Sequence, residues 1–167
     1  EIYQCDWSSD VCSSDLMCLW SFATWSGAST EECLSVALRA GQVLPQKLDD
    51  VAQAELLRLG ELIGMKMESL PRSALAPLLR LPDAMLVGVA PAVIAKLRGD
   101  LKNPDSYLIL CDLTAQLPHS LSKLDPCSAR ESVELISSET LGCLPSLSPA
   151  TDSALLRQLL PLAIRGD

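Results

Sequence analysis

Aromatic residues make up 4% of the 167-residue chain, with a single Phe at Phe22. Strands favour β-branched and aromatic side chains, so this scarcity argues against a sheet. There is one histidine, His119. No Cys-x-x-Cys or His-x-x-x-His spacing occurs, so no zinc framework is implied. Phosphate loops and dinucleotide fingerprints are also missing. The longest uncharged apolar run, Ala84 to Ala95, falls well short of the roughly 20 residues a membrane span needs. Met17-Cys-Leu-Trp has no basic flank, so it supports no signal peptide.

What the chain has is leucine, and proline to interrupt it. Hydrophobic residues reach 49% and prolines number 11. Leucine-rich faces at helical spacing predict helices, and the prolines and glycines predict that these helices are short. From Leu56 to Leu97 the pieces are too brief to bury their faces alone. The expectation is an all-α fold of short stacked helices, an α-solenoid of the ARM/HEAT type. LGELIGMKMESLPRSALAPLLRL also resembles LGCLPSLSPATDSALLRQLLPL, a loose internal repeat.

Local signals place the pieces. Ser29-Thr30-Glu31-Glu32 starts a helix with Cys33, Leu34, Ala37 and Leu38 inward, ended by Gly41. Pro45 sits at the first turn of a second, with Leu48, Val51, Ala52, Leu56, Leu59, Leu62 and Ile63 on one face and a weak end at Gly60 and Gly64. Pro71, Pro82 and Pro91 each open a helix of two or three turns, the last ending at Gly99. Asn103-Pro104-Asp105 starts the next. YLILCDL, from Tyr107, fits a buried strand by composition, but no partner strand is evident, so helix is expected. Pro118-His119-Ser120 reads as a turn. Asp125 caps a helix carrying Val133, Leu135 and Ile136; Ser138 to Leu144 is a further short one. Ser148-Pro149 opens the last, with Leu155, Leu156, Leu159, Leu160 and Ile164 packed.

Residues 1–16, EIYQCDWSSDVCSSDL, resemble a translated sequencing-library adapter through DWSSDVCSSDL and are set aside as an artefact, expected to be disordered. The alternative is a genuine Ser/Asp tail. The formal net charge of −8 then loses Glu1, Asp6, Asp10 and Asp15 and becomes −4. A mildly acidic surface argues against nucleic acid and anionic membrane as partners. Residues 17–167 form one helical-repeat domain, expected to be part of a larger protein. Without Cys5 and Cys12 five thiols remain: Cys18, Cys33, Cys111, Cys127 and Cys143. Disulfides drawn from Cys33, Cys111, Cys127 and Cys143, and simple buried thiols, both fit.

The run SLPRSALAPLLRLPDAMLVGVAPAVIAKL, the Leu-Gly-x-Leu units at Leu59–Leu62 and Leu141–Leu144, and the SLSP break at Ser146–Pro149 resemble the mesothelin, otoancorin and stereocilin family. The likeness covers roughly Leu56 to Ile164. It implies an extracellular or cell-surface helical superhelix, used in adhesion or attachment to matrix, without catalysis or cofactor. The chain departs from the family's glycosylated habit, because Asn103 precedes Pro104 and forms no sequon.

Arg-Gly-Asp occurs at Arg98-Gly99-Asp100 and Arg165-Gly166-Asp167. Integrin recognition needs a cation and a carboxylate held apart on a flexible glycine, and the triplet supplies both. Helix punctuation explains the same residues: Arg in a last turn, Gly as cap, Asp beyond. Cys111 or Cys127 with His119 and Asp112 gives a nucleophile reading, with an exposed histidine as its plain counterpart. Gly60-x-x-x-Gly64 has the spacing of membrane dimers, but Glu61 favours a helix end. Asp49-Asp50 and Glu31-Glu32 are solvated faces. Three functions follow in order: mesothelin-like adhesion, an intracellular helical adaptor with reduced thiols, and a hydrolase fragment. In the first two, a protein or glycan ligand sits in a groove between helices.

Overall fold

The computed structural model describes residues 29–43 and 48–164. Within them lie seven α-helices and three 3-10 turns, and no strand. The helices are α1 (Thr30–Val43), α2 (Asp50–Met65), α3 (Leu75–Leu78), α4 (Asp83–Arg98), α5 (Pro104–Ser122), α6 (Pro126–Cys143) and α7 (Ser153–Ile164). Residues 1–16, Cys18, Trp20, Phe22, Trp25, Pro45 and Arg165-Gly166-Asp167 lie outside the described residues.

Side-chain caps set four of the starts. Ser29 Oγ accepts from the Glu32 amide at 3.2 Å, and Glu32 returns a carboxylate to the Ser29 amide at 2.8 Å. This reciprocal pair satisfies two donors that the first turn leaves open. The Ser29 hydrogen bonds also lower the Glu32 pKa. Asp49, Asn103 and Asp125 cap α2, α5 and α6, accepting from the amides of Ala52, Asp105 and Ser128. Pro104 and Pro126 follow two of these caps at the first helical position, where their missing N–H costs nothing.

Helix α4 is the centre. Seven consecutive residues, Ala84 to Ala90, are buried, as are Val93, Ile94 and Leu97. A helix apolar on all sides must be enclosed on all sides. It is the uncharged run noted in the sequence, and α2, α5 and α6 surround it. The contact with α2 is made backbone to backbone. A Cβ on Gly60 would overlap the Met85 carbonyl oxygen, and one on Gly88 would overlap that of Leu57. The two glycines let α2 and α4 cross at a distance no other residue allows. Gly60 is therefore a packing surface in the body of α2, not a weak helix end.

Two antiparallel hairpins follow. In the first, Asp83 at the start of α4 bonds Ser120 and Lys123 at the end of α5, and Asp100 just past α4 bonds Ser106. In the second, Ser137 of α6 donates to the Leu162 carbonyl of α7 at 2.8 Å. The hairpins stack with like helices together. Helix α6 lies on α4, tied by Arg98 to Glu139 near both C-termini. Helix α7 lies on α5, tied by Thr114 to Gln158 at 2.8 Å. Upstream, Lys96 of α4 donates to the Met67 carbonyl at 2.8 Å and to that of Leu70, pinning the 3-10 turn after α2.

The helices are longer than the prolines suggest. Pro91 lies inside α4 and Pro118 inside α5. Hence Pro91 opens no helix, and Pro118-His119-Ser120 is helical, not a turn. An interior proline costs about 3 kcal/mol. Each fully buried Val, Leu or Met returns about 1.5–3 kcal/mol, and α4 alone buries several. Packing thus outweighs the local break. By the same token α6 runs unbroken through Ser138 to Cys143, and only Leu144–Ser146 tightens to a 3-10 turn. Helix α7 starts at Ser153 rather than Ser148-Pro149, and α1 passes Gly41 to end at Val43. Pro71 precedes a 3-10 turn, Arg72–Ala74, before the one-turn α3. Val51, Leu135, Leu160 and Ile164, expected inward, are exposed.

Candidate functional site

The C-terminus of α4 carries Arg98-Gly99-Asp100 into a junction of four elements. Arg98 Nη1 lies 3.1 Å from Glu139 Oε2 on α6. That contact is an ion pair without hydrogen-bond alignment, because the same oxygen has no hydrogen-bond partner. The guanidinium lies over Gly142, where a Cβ would stand 3.3 Å from Arg98 Cδ and Cζ. Asp100 Oδ2 accepts from Ser106 Oγ at 2.8 Å and pairs with Arg72. Gly99 is right-handed helical, φ −71° and ψ −9°. The Asp100 amide donates to the Leu97 carbonyl at 2.9 Å, continuing the winding. Arg72, Ser106 and Glu139 had no signal in the sequence as partners of this triplet; they come from distant segments.

The four described cysteines are free thiols. Cys33 and Cys143 are buried, Cys111 is half-buried and Cys127 is exposed. Burial pushes the Cys143 thiol up to about 11, with Arg98 lowering and Glu139 raising it. Burial, with Asp112 and Asp152, also raises Cys111. A thiolate is the reactive form, so both are poor nucleophiles. In native protein at neutral pH, iodoacetamide should label Cys127 well before Cys33 or Cys143, read by peptide mass spectrometry. Equal labelling of Cys143 would show that the α4–α6 contact opens.

His119 is exposed on α5, two turns from Cys111, so the fold does not join them. It lies instead beside Asp83. Burial raises the Asp83 carboxyl, but Lys123 and Ser120, each at 2.7 Å, outweigh it and the pKa ends lowered. This cluster ties the two ends of the first hairpin. At the other end Tyr107 bonds Asp152, and burial followed by that bond raises the phenol. The Ser148 amide, at 2.7 Å, is the largest influence lowering Asp152. These groups hold turns in place.

Glu61 of α2 faces α6. Burial and then the Glu131 charge raise its pKa, while the Ser132 hydroxyl at 3.4 Å and Arg58 oppose the shift. A carboxyl raised on folding makes the native state bind its proton more tightly than the unfolded chain. Its charge therefore costs stability at neutral pH, and that cost disappears as pH falls through the folded pKa toward about pH 4. Glu61→Gln should raise the melting temperature at neutral pH, with the gain fading in acid. A constant gain across that range would remove the ionisation argument.

No group of three or more His, Cys, Asp or Glu among the described residues is placed to hold a metal ion. No described helix is long and apolar enough to cross a membrane. Comparison with family models, with curated proteins and with solved structures gives no match.

Proposed function

We propose that the chain is a non-catalytic helical-repeat scaffold of the mesothelin-like type, acting in adhesion at the cell surface. The observation that carries this is the stacking of hairpin α4–α5 on hairpin α6–α7 with like helices together. A repeat array grows by that step, each hairpin burying the face its neighbour leaves open. The longest run that carries the family likeness, Ser69 to Leu97, spans from the 3-10 turn after α2 through the central helix. The ligand is a protein or glycan held between helices, as in other stacked-helix scaffolds.

A second reading, an intracellular adaptor, is favoured by the four free thiols. Reduced cysteines suit a reducing compartment, and secreted domains tend to pair theirs. One experiment separates the two. The full chain is produced through an oxidising secretory route, its thiols are titrated, and the product is tested for cell attachment. Stable, unbridged secreted protein that supports attachment favours adhesion. Scrambled, aggregated product and no attachment favours the adaptor.

A further inference from the structure

We propose that Arg98-Gly99-Asp100 is an integrin-type recognition triplet latched shut by two intramolecular ion pairs. The receptor chemistry is a divalent-cation site that takes the carboxylate and an acidic pocket that takes the guanidinium. Both groups are already engaged, and by different elements. Arg98 is held by Glu139 of α6, its guanidinium lying over Gly142. Asp100 is held by Ser106 at the start of α5 and by Arg72 of the 3-10 turn before α3. Between them Gly99 stays in helical conformation, with the Asp100 amide bonded back to Leu97. A receptor that needs the two charges free and splayed finds neither.

The latch is built to be opened. Its side chains remain partly exposed: 43% for Arg98, 26% for Glu139, 61% for Arg72 and 24% for Asp100. Exposed ion pairs each hold a closed state by only about fivefold or less. Two pairs together therefore mask the triplet by up to roughly thirtyfold, and apparent affinity falls by the same factor. Breaking both pairs should recover that factor without new contacts. The idea does not depend on the hairpin-array reading, and its failure leaves a ligand groove between helices untouched.

The test is competition in solution, which avoids unfolding on a coated surface. Full-length chains compete with an immobilised Arg-Gly-Asp peptide for a recombinant integrin ectodomain loaded with Mn²⁺. Every chain carries Asp167→Glu to silence the second triplet. The parent is compared with Arg72→Gln/Glu139→Gln, and with the same double variant plus Asp100→Glu. Circular dichroism checks the fold of each. The double variant should compete better than the parent, by up to about 30-fold, and Asp100→Glu should abolish the gain. A folded double variant no better than the parent overturns the proposal. So does a parent that competes as well as the double variant. If the double variant unfolds, its triplet is free and must still compete; failure there overturns the proposal too.

Discussion

Gly60→Ala and Gly88→Ala should each destabilise the protein by about 2 kcal/mol or more, a loss of roughly 5 °C or more in melting temperature. Two effects of opposite sign meet at these sites. Alanine is the better helix former, by about 1 kcal/mol. Against that, the new methyl on residue 88 would overlap the Leu57 carbonyl oxygen and stand 3.0 Å from the Glu61 amide nitrogen. On residue 60 it would overlap the Met85 carbonyl and stand 3.0 Å from Met85 Cα. Side chains can rotate away from an added methyl; backbone in the middle of two helices cannot, so α2 and α4 must separate. Separation thins the packing around the most enclosed helix of the fold, where voids lose contacts outright. Gly99→Ala is the control. Its nearest atom would be 3.9 Å away and its φ is −71°. There the substitution should be neutral or stabilising, by up to about 1 kcal/mol. Thermal melts of the three variants decide the matter. If the first two melt within a degree or so of the parent, the helices do not cross this closely.

The crossing also shows what the amino-acid sequence could and could not reveal. Gly60 and Gly64 were visible as a small-residue spacing, but the reason for them lies on another helix at Gly88 and Ala92. Features whose cause is local were legible. Asn103 and Asp125 cap helices because each side chain reaches an amide two or three residues on, whereas Asp49, expected on a solvated face, turns out to cap α2 in the same way. The helical identity of Tyr107 to Leu117 was legible through the missing partner strand. Features with a distant cause were not. Pro91 and Pro118 look like breaks until the burial on both sides of them is counted. Arg98 looks like a free last-turn cation until Glu139 arrives from α6. The uncharged run from Ala84 is the intermediate case. In the sequence it showed only that it falls short of a membrane span; its enclosure by α2, α5 and α6 shows in the fold.

The choice of inward face in α5, α6 and α7 yields the second large effect. Leu117→Ala and Leu159→Ala should each cost about 2–5 kcal/mol, because both side chains are fully buried, at 0% exposure. Leu135→Ala and Leu160→Ala should stay within about 0.5 kcal/mol, because these side chains are 49% and 46% exposed. The sequence makes no such distinction. In a leucine-rich helix adjacent leucines such as Leu159 and Leu160 satisfy the same periodic pattern, and only the docked partner selects one. In α7 that partner is the α5–α6 pair, which encloses Leu155, Leu159 and Leu162. Chemical denaturation of the four variants reads the selection directly. A loss at Leu160 equal to that at Leu159 would mean that α7 is rotated from this register or that its outer face is covered in solution. The second outcome is the more instructive for function. An outer face that stabilises when covered is what a further hairpin or a bound ligand would exploit in a stacked array. The difference between Leu159 and Leu160 therefore measures whether the outer face of α7 is free or covered.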